Sequence, residues 1–405
     1  MSENGKPVPD KDKKDTIVLF HVTTIPETFG FLRGQIAYMQ ERGIQIHGVS
    51  SPGVGLEEVA RRERIPMHPV NMSRKISPFA DLRALSKLFR LFHSHQPEIV
   101  HAHTPKGGLL GVLAARLARI PVIIYGMRGL PFVTAAGMKR SVLRLSEFIS
   151  CRLADRVIAV SFSIQNRALE EGFCPPQNIV VLGKGSSNGV DSRGRFNPER
   201  LPPGIRNSVR RQYDIPLDSL VIGYVGRIVR DKGIIEIEEA WRYLSQKFPA
   251  LYLLLVGPLE SKDPVPTDVL ARLQADPRVK FTGALADMPP MYASMDILAH
   301  PTYREGFPNT PLEAAAMTLP VVTTNVDGCP EAVVDRVTGL IIPPRDSKAL
   351  ADALEKLITN SNLRLEMGRA GRQRVLTDFK PEDIWRALFD NYKELLKIKG
   401  LNGLI

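Results

Sequence analysis

The sequence predicts an α/β protein with two doubly wound parallel sheets, and three observations carry that prediction. Short, β-branched, continuously apolar runs alternate with longer stretches of helical spacing. The alternation stops at a segment rich in Gly, Ser and Pro and then starts again. A length of 405 residues suffices for two or three domains. Apolar runs without polar alternation fit strands covered on both faces, as strands in βαβ units are.

In the first half the expected strands are Thr16–Val22, Gln45–Val49, Glu98–His103, Val122–Gly126, Arg156–Val160 and Asn178–Leu182. Phe31–Arg42 and Phe79–His93, between them, repeat apolar residues at helical spacing. Gly185–Pro203 is the break. Strands resume at Leu220–Val225, Tyr252–Val256, Val279–Thr282, Asp296–Ala299, Val321–Thr324 and Leu340–Ile342. The expected organisation is a disordered tail over 1–15, an N-terminal Rossmann-like domain over 16–190, a hinge over 191–215, a second Rossmann-like domain over 216–380 and a helix with tail over 381–405. Two such domains leave a cleft between them. The last helical stretch, Glu382–Leu396, aligns Ile384, Leu388, Tyr392 and Leu395.

Composition narrows the function classes. With 43% hydrophobic and 24% charged residues the chain is an ordinary globular protein, which excludes general disorder, collagen-like structure and a disulfide scaffold. Cys151, Cys174 and Cys329 are too few and too scattered for a zinc cluster and suit a reducing compartment. The N-terminal residues lack the apolar core of a signal peptide. No apolar run approaches the roughly 20 residues that span a bilayer. The longest, around Gly107–Ala118, is broken by Arg116 and reads as a buried helix. A cytoplasmic protein is expected, with the option of lying on a membrane.

The net charge of +11 is unevenly placed. Residues 1–195 carry 27 Lys+Arg against 16 Asp+Glu, and residues 196–405 carry 27 against 27. That asymmetry points to an anionic partner for the first half: nucleic acid, an anionic membrane surface or a phosphorylated substrate. The absence of a zinc finger, an RNP motif or a basic-aromatic strand pattern removes nucleic acid. Two stretches are basic and amphipathic. Phe79–His93 sets Arg83, Lys87 and Arg90 beside Phe79, Leu82, Leu85, Leu88 and Phe92. Met138–Leu153 sets Lys139, Arg140, Arg144 and Arg152 beside Val142, Leu145 and Ile149. Each fits a core-packed helix with a solvated basic face, or a helix meeting an anionic leaflet.

The second half holds the motifs with chemistry. In Val225–Gly233 (VGRIVRDKG), a strand runs into a glycine turn and then a helix. Ligands of open α/β sheets bind beyond the carboxyl ends of the strands, so Arg227 and Lys232 could face a diphosphate there. A solvated turn with two ordinary charges is the other reading, and a Walker A loop is excluded by spacing. His300–Glu313 (HPTYREGFPNTPLE) also follows a strand. Thr310, Pro311 and Glu313 read as a helix start with a capping box, which is itself compatible with an anion site. Glu305, in a loop of shape-fixing residues, has no such structural role and reads as functional. Pro320–Gly328, Pro330–Glu331 and Gly339–Pro344 alone are turns around two strands.

Together these residues closely resemble the C-terminal domain of GT-B fold retaining glycosyltransferases of family 4, the bacterial surface-polysaccharide type. GRIVRDKG, LLLVG, HPTYREGFPNTPLEAAAMTLPVVTTNVDG and TGLIIPPRD span roughly Gly223–Asp346 in the family's order. The resemblance implies that Arg227 and Lys232 hold the donor diphosphate, Glu305 contacts the donor sugar and Glu313 binds the ribose hydroxyls. Gly226, Gly257, Gly306, Phe307, Asn309 and Thr310 would line the donor. In the first half, His101–Gly108 (HAHTPKGG) resembles the segment carrying the family's cleft histidine, placed here on His103, with His101 buried on its strand. Tyr125–Phe132 resembles an acceptor-side loop, with Arg128 where many relatives carry histidine, and Gly185–Asp191 matches the interdomain segment. The family's Gly-Gly loop after the first strand is missing. Thr23–Gly30 offers a single late glycine, Gly30, for the donor phosphates. The family's C-terminal helix crosses back to the N-terminal domain.

The implied reaction moves a hexose or N-acetylhexosamine from a nucleotide diphosphate sugar, UDP-sugar favoured, to a lipid-linked glycan acceptor with retained configuration. No cofactor and no metal are expected. Arg227 and Lys232 stand in for a cation, and the Asp-x-Asp at Asp10–Asp12 sits in the tail. The alternatives are a nucleotide-sugar epimerase of the same architecture and a non-enzymatic protein binding an anionic membrane.

Overall fold

The computed structural model describes residues 16–73 and 77–401. The expected tail over 1–15, with Asp10–Asp12, lies outside the described residues, as do the last four residues. Among the described residues, thirteen strands form two sheets. The first seven are β1 (Ile17–Val22), β2 (Ile44–Ser50), β3 (Met67–Pro69), β4 (Ile99–His103), β5 (Val122–Met127), β6 (Arg156–Ala159) and β7 (Ile179–Val181). The other six are β8 (Leu220–Val225), β9 (Leu251–Val256), β10 (Val279–Phe281), β11 (Ile297–His300), β12 (Val321–Thr324) and β13 (Gly339–Ile342). The sheet orders are β3-β2-β1-β4-β5-β6-β7 and β10-β9-β8-β11-β12-β13. The strands run parallel, β1 with β2 and β4, and β8 with β9 and β11. All expected strands are present. The sequence pattern missed β3, a three-residue edge strand ending in proline, too short to show a period.

The chain divides into two compact units. The first runs to Tyr125 and adds Leu153–Asp155 and the residues from Leu388. The second holds Gly126–Arg152 and Arg156–Ala387.

In the first unit, all of Ile99–His103 is buried, as continuous apolar patterning requires of a central strand. The helix after it, Pro105–Leu117, buries Gly107, Gly108, Leu110, Gly111, Val112, Ala114 and Ala115. Glycine at 111 lets it approach the sheet, because a Cβ there would stand 2.9 Å from the Ala102 Cβ and 3.3 Å from Val22. The stretch expected as one helix over Phe31–Arg42 is instead a 3-10 helix, Pro26–Leu32, and a short α-helix, Gln35–Gln40. Gly34 between them has φ +78°, which breaks the helical path. Leu395 and Leu396 are buried, and the Tyr392 hydroxyl lies 2.8 Å from His101 Nδ1.

In the second unit, the core lies between the sheet β8–β13 and its helices. Ile222, Tyr224, Leu253 and Leu255 meet Ile237, Trp241 and Leu244 of Ile234–Lys247 and Leu350, Leu354 and Leu357 of Ser347–Thr359. A polar clamp holds the helix Ile205–Gln212. Arg210 is fully buried, donates to the carbonyls of Ser294, Leu217 and Ser219, and pairs with Asp296 at 2.8 Å. Asp296 also takes Arg206 at 2.6 Å and the Val221 amide at 2.8 Å. Removing one partner of a buried pair leaves the other charge and its acceptors uncompensated. Arg210→Leu is expected to cost about 3–5 kcal/mol in urea unfolding followed by circular dichroism, and an unchanged midpoint would show that the clamp carries no stability.

Candidate functional site

The site is built at the carboxyl ends of β8, β9 and β11. After β8 the chain turns at Gly226, φ +150°, and after β9 at Gly257, φ +142°. The two turns touch backbone to backbone, since a Cβ on Gly257 would collide with the Gly226 carbonyl oxygen. Arg227 follows. Its guanidinium pairs with Glu260 at 3.1 Å and approaches Asp231 at 4.0 Å, and its carbonyl accepts the Tyr224 hydroxyl at 2.6 Å. Burial pushes the Tyr224 phenol well up, so it stays a donor.

A 3-10 turn, Arg230–Lys232, then ends on Gly233 in the left-handed region, φ +76°, and opens the helix Ile234–Lys247. This turn is fastened to the loop after β11. The Tyr303 amide donates to the Asp231 carbonyl at 2.9 Å, and Arg304 pairs with the Asp231 carboxylate at 3.2 Å. Lys232 Nζ donates to the Glu305 carboxylate, and His300 Nε2 lies 3.4 Å from the same oxygen. The His300 ring is set by Thr323, 3.1 Å from Nδ1. Burial by itself raises the pKa of Glu305, but Lys232 and then His300 outweigh it and hold the carboxyl well below the usual carboxylate range. Glu305 is a fixed anion at neutral pH.

Beyond Glu305 the backbone is crowded. A Cβ on Gly306 would collide with the Arg128 carbonyl, and the Gly306 carbonyl accepts the Ser161 hydroxyl at 2.8 Å. Phe307 is buried against Phe379, and Ser186 lies 3.5 Å from Asn309. The helix Asn309–Ala316 follows, and here the structure corrects the sequence reading. Its cap is Pro308, with no side-chain cap bond, so Thr310, Pro311 and Glu313 do not form a capping box. The Gly-Phe-Pro turn already fixes the entry of the chain, and the helix starts before Thr310. Glu313 therefore sits inside the helix, where its carboxylate accepts from the buried Tyr292 hydroxyl at 2.7 Å. Burial raises its pKa more than Tyr292 and Arg195 lower it. Glu331 has a structural role: it takes the amides of Phe162 and Ser163 at 2.7 and 2.8 Å, satisfying the start of Phe162–Glu170.

The second unit thus brings together Arg227, Lys232 and Glu305 on fastened loops and places Gly226, Gly257, Gly306, Phe307, Asn309, Thr310 and Glu313 along the adjoining turns and helix. Sequence reasoning missed Tyr292, Asp231 and the orienting role of His300. Only the last had a signal, as the final residue of a strand feeding the motif loop. His103 and Gly30 belong to the first unit. His103 ends β4, is as buried as His101, and has Nε2 3.0 Å from His21 Nδ1. Gly30 is an exposed residue of the otherwise largely buried 3-10 helix Pro26–Leu32, and a Cβ there would meet nothing within 4 Å, so the backbone does not require glycine.

Residues 31–185 match a family described as glycosyl transferase 4-like domain, and residues 205–374 match glycosyl transferases group 1. The chain is 37% identical over 380 residues to the capsular polysaccharide biosynthesis glycosyltransferase CapM of Staphylococcus aureus, covering 94% of this chain and 97% of that one. It is 25% identical, over 76% of its length and 78% of the relative's, to an Escherichia coli UDP-Gal:alpha-D-GlcNAc-diphosphoundecaprenol alpha-1,3-galactosyltransferase. The crystal structure of Anabaena Alr3699/HepE with UDP and glucose superposes with a TM-score of 0.78 at 21% identity, over 93% of this chain and 99% of that one. Fold and relatives define the class, a glycosyltransferase of the GT-B architecture with two Rossmann-like domains. The chain belongs to the family 4 glycosyltransferases. That membership sets aside the epimerase and the non-enzymatic alternative.

The depressed pKa of Glu305 has a consequence for pH. A carboxylate so held adds stability that is complete above the unfolded value of about 4.3 and is lost as the pH falls through the folded value. The difference in thermal midpoint between the wild type and Lys232→Ala is expected to be largest near neutrality and to shrink steadily on acidification. A gap independent of pH would mean that Lys232 does not hold Glu305 ionised.

Proposed function

We propose that the chain is a retaining glycosyltransferase moving a hexose or N-acetylhexosamine from a UDP-sugar to a polyprenyl-diphosphate-linked glycan during surface-polysaccharide synthesis. The Lys232–Glu305 pair beside Arg227, at the carboxyl ends of β8 and β11, carries the reading. Breaking the sugar–phosphate bond leaves charge on the diphosphate, and cations aimed at that place stabilise it. On this reading Arg227 and Lys232 serve the diphosphate and Glu305 meets the donor sugar. Glu313, an acceptor poised by burial, takes the ribose hydroxyls. Gly226, Gly257, Gly306, Phe307, Asn309 and Thr310 line the donor, with Gly30 contributing backbone, and His103 has the family's cleft-histidine role. Two side-chain cations do what a metal does in other transferase folds, so no metal or cofactor is assigned to the reaction. The full-length likeness to a capsular-polysaccharide enzyme supports the pathway class, and the substrates in the galactosyltransferase relative's name support a UDP donor and a diphosphoundecaprenol acceptor.

We also propose that the enzyme works at the inner face of an anionic cytoplasmic membrane. No helix among the described residues is long and apolar enough to cross a membrane. In Gly137–Leu153, however, the residues turned inward are Glu147, Ser150 and Cys151, whereas Met138, Val142, Leu145 and Phe148 are exposed beside Lys139, Arg140 and Arg144. Of the apolar residues Val142, Leu145 and Ile149, only Ile149 is partly buried, so the stretch keeps apolar surface for a membrane to meet. In Pro78–His95, Ala84, Leu88 and Phe92 are buried, yet Phe79 and Leu82 remain 84% and 65% exposed. Apolar side chains among cations suit an interfacial helix.

Two measurements test these readings. With a panel of nucleotide sugars and a lipid-linked acceptor, product mass analysis is expected to show Lys232→Ala slowed by about 10²-fold or more. Glu305→Ala should lose transfer more than binding of free UDP, and Glu313→Ala the reverse; near-normal transfer by Lys232→Ala sinks the assignment. In sedimentation with liposomes, the chain should bind anionic vesicles, and Met138→Ser with Leu145→Ser should weaken that binding. Indifference to lipid charge would remove the membrane.

A further inference from the structure

The sheet of the first unit carries two histidine groups on opposite faces, a consequence of strand alternation along β1. His21 faces one side, where it pairs with His101 in register and meets His103. Phe20 faces the other, in register with His47 of β2. Val49, on the same face as His47, is in register with His68 of β3, so His47 and His68 are neighbours across the edge of the sheet. The helix Pro78–His95 covers this face, and its last residue adds His95.

We infer that His47, His68 and His95 form a binding site for a divalent transition-metal ion of the zinc class, with water in the remaining position. One ring nitrogen from each of the three lies within 4.8 Å of the others, and His47 Nδ1 is already 2.9 Å from His68 Nε2. Zinc–imidazole bonds of about 2.0–2.1 Å in a tetrahedron put the nitrogens roughly 3.3 Å apart. His47 and His68, hydrogen-bonded to each other at 2.9 Å, need to part by a few tenths of an ångström to take the ion, and His95 stands exposed at the helix end with a ring nitrogen within 4.8 Å of theirs. Phe20 forms the floor, stacked on His47 at 4.6 Å and on His68 at 5.4 Å and edge-on to His95 at 5.5 Å.

The outer partners are those of a metal site. A ligating imidazole usually donates its second nitrogen to a carbonyl or another acceptor. His95 Nδ1 lies 3.0 Å from both the Leu91 carbonyl and the Ser94 hydroxyl, so Nε2 is the nitrogen assigned to the ion. His47 Nε2 lies 3.3 Å from Gln45 Nε2, and a half-turn of that amide places its oxygen there to accept the imidazole proton. Three imidazoles and no carboxylate in the set select zinc, copper or nickel over magnesium or calcium. The three ligands join β2, the edge strand β3 and the end of a helix, so the ion would fasten the margin of the first unit, apart from the residues assigned to the donor.

The experiment is calorimetry of Zn(II) into the untagged, chelator-washed full chain, with thermal unfolding in parallel. One Zn(II) per chain is expected, together with a midpoint raised on the order of 5 °C at a hundredfold excess over Kd, while Mg(II) does nothing. His95→Ala, an exposed position whose loss leaves the metal-free fold intact, should weaken Zn(II) binding at least about tenfold, since even outer-partner losses cost 10–100-fold. His68→Gln should do the same. Absence of saturable binding overturns the site, and so does unchanged affinity in His95→Ala, which is the result expected if His21, His101 and His103 held the ion instead.

Discussion

A buried carboxylate stays ionised only where a cation meets it, and the site proposed for the donor is arranged around that requirement at Glu305. Lys232 supplies the cation. To deliver it, the turn after β8 must lie against the loop after β11, and the Asp231 carbonyl and carboxylate fasten the two by accepting from Tyr303 and Arg304. The glycines follow from the same constraint. Loops this close leave no room for Cβ atoms where Gly257 meets Gly226 or where Gly306 meets Arg128. The pair thus explains why motif residues distant in sequence are required together.

Glu305 and Glu313, eight residues apart, show how environment separates two identical groups. Both are buried, but Glu305 has an ammonium and an imidazole beside it and is pushed down, whereas Glu313 has a phenol and is pushed up. One is a fixed charge and the other a hydrogen-bond acceptor with a costly charge. That contrast fits contact with a sugar near departing phosphate in the first case and with neutral hydroxyls in the second.

Local patterning made much of this legible. The strands could be placed because parallel strands covered on both faces must be continuously apolar, and β4, β5 and β12 are buried throughout. The residues proposed for the donor could be singled out because their loops carry glycines and charges in a fixed order after strands. Patterning failed where a residue's partner is remote. Glu331 and Thr310 both looked like turn or cap residues; Glu331 does cap a helix, but one whose start lies 169 residues earlier in the chain, and Thr310 caps none. The helix Gly137–Leu153 reads as amphipathic either way, and only packing shows that Glu147, Ser150 and Cys151 are its buried residues while Met138, Val142, Leu145 and Phe148 stay exposed.

The sequence by itself determined the α/β class, the two sheets and the identity of the charged residues after β8 and β11, because periodicity and turn chemistry act over a few residues. Tertiary structure decided the rest. Lys232 and Glu305 are 73 residues apart, and His47, His68 and His95 come from two strands and a helix end. No local rule couples such positions. Their chemistry exists only once strand register and helix packing have set them within reach of one another.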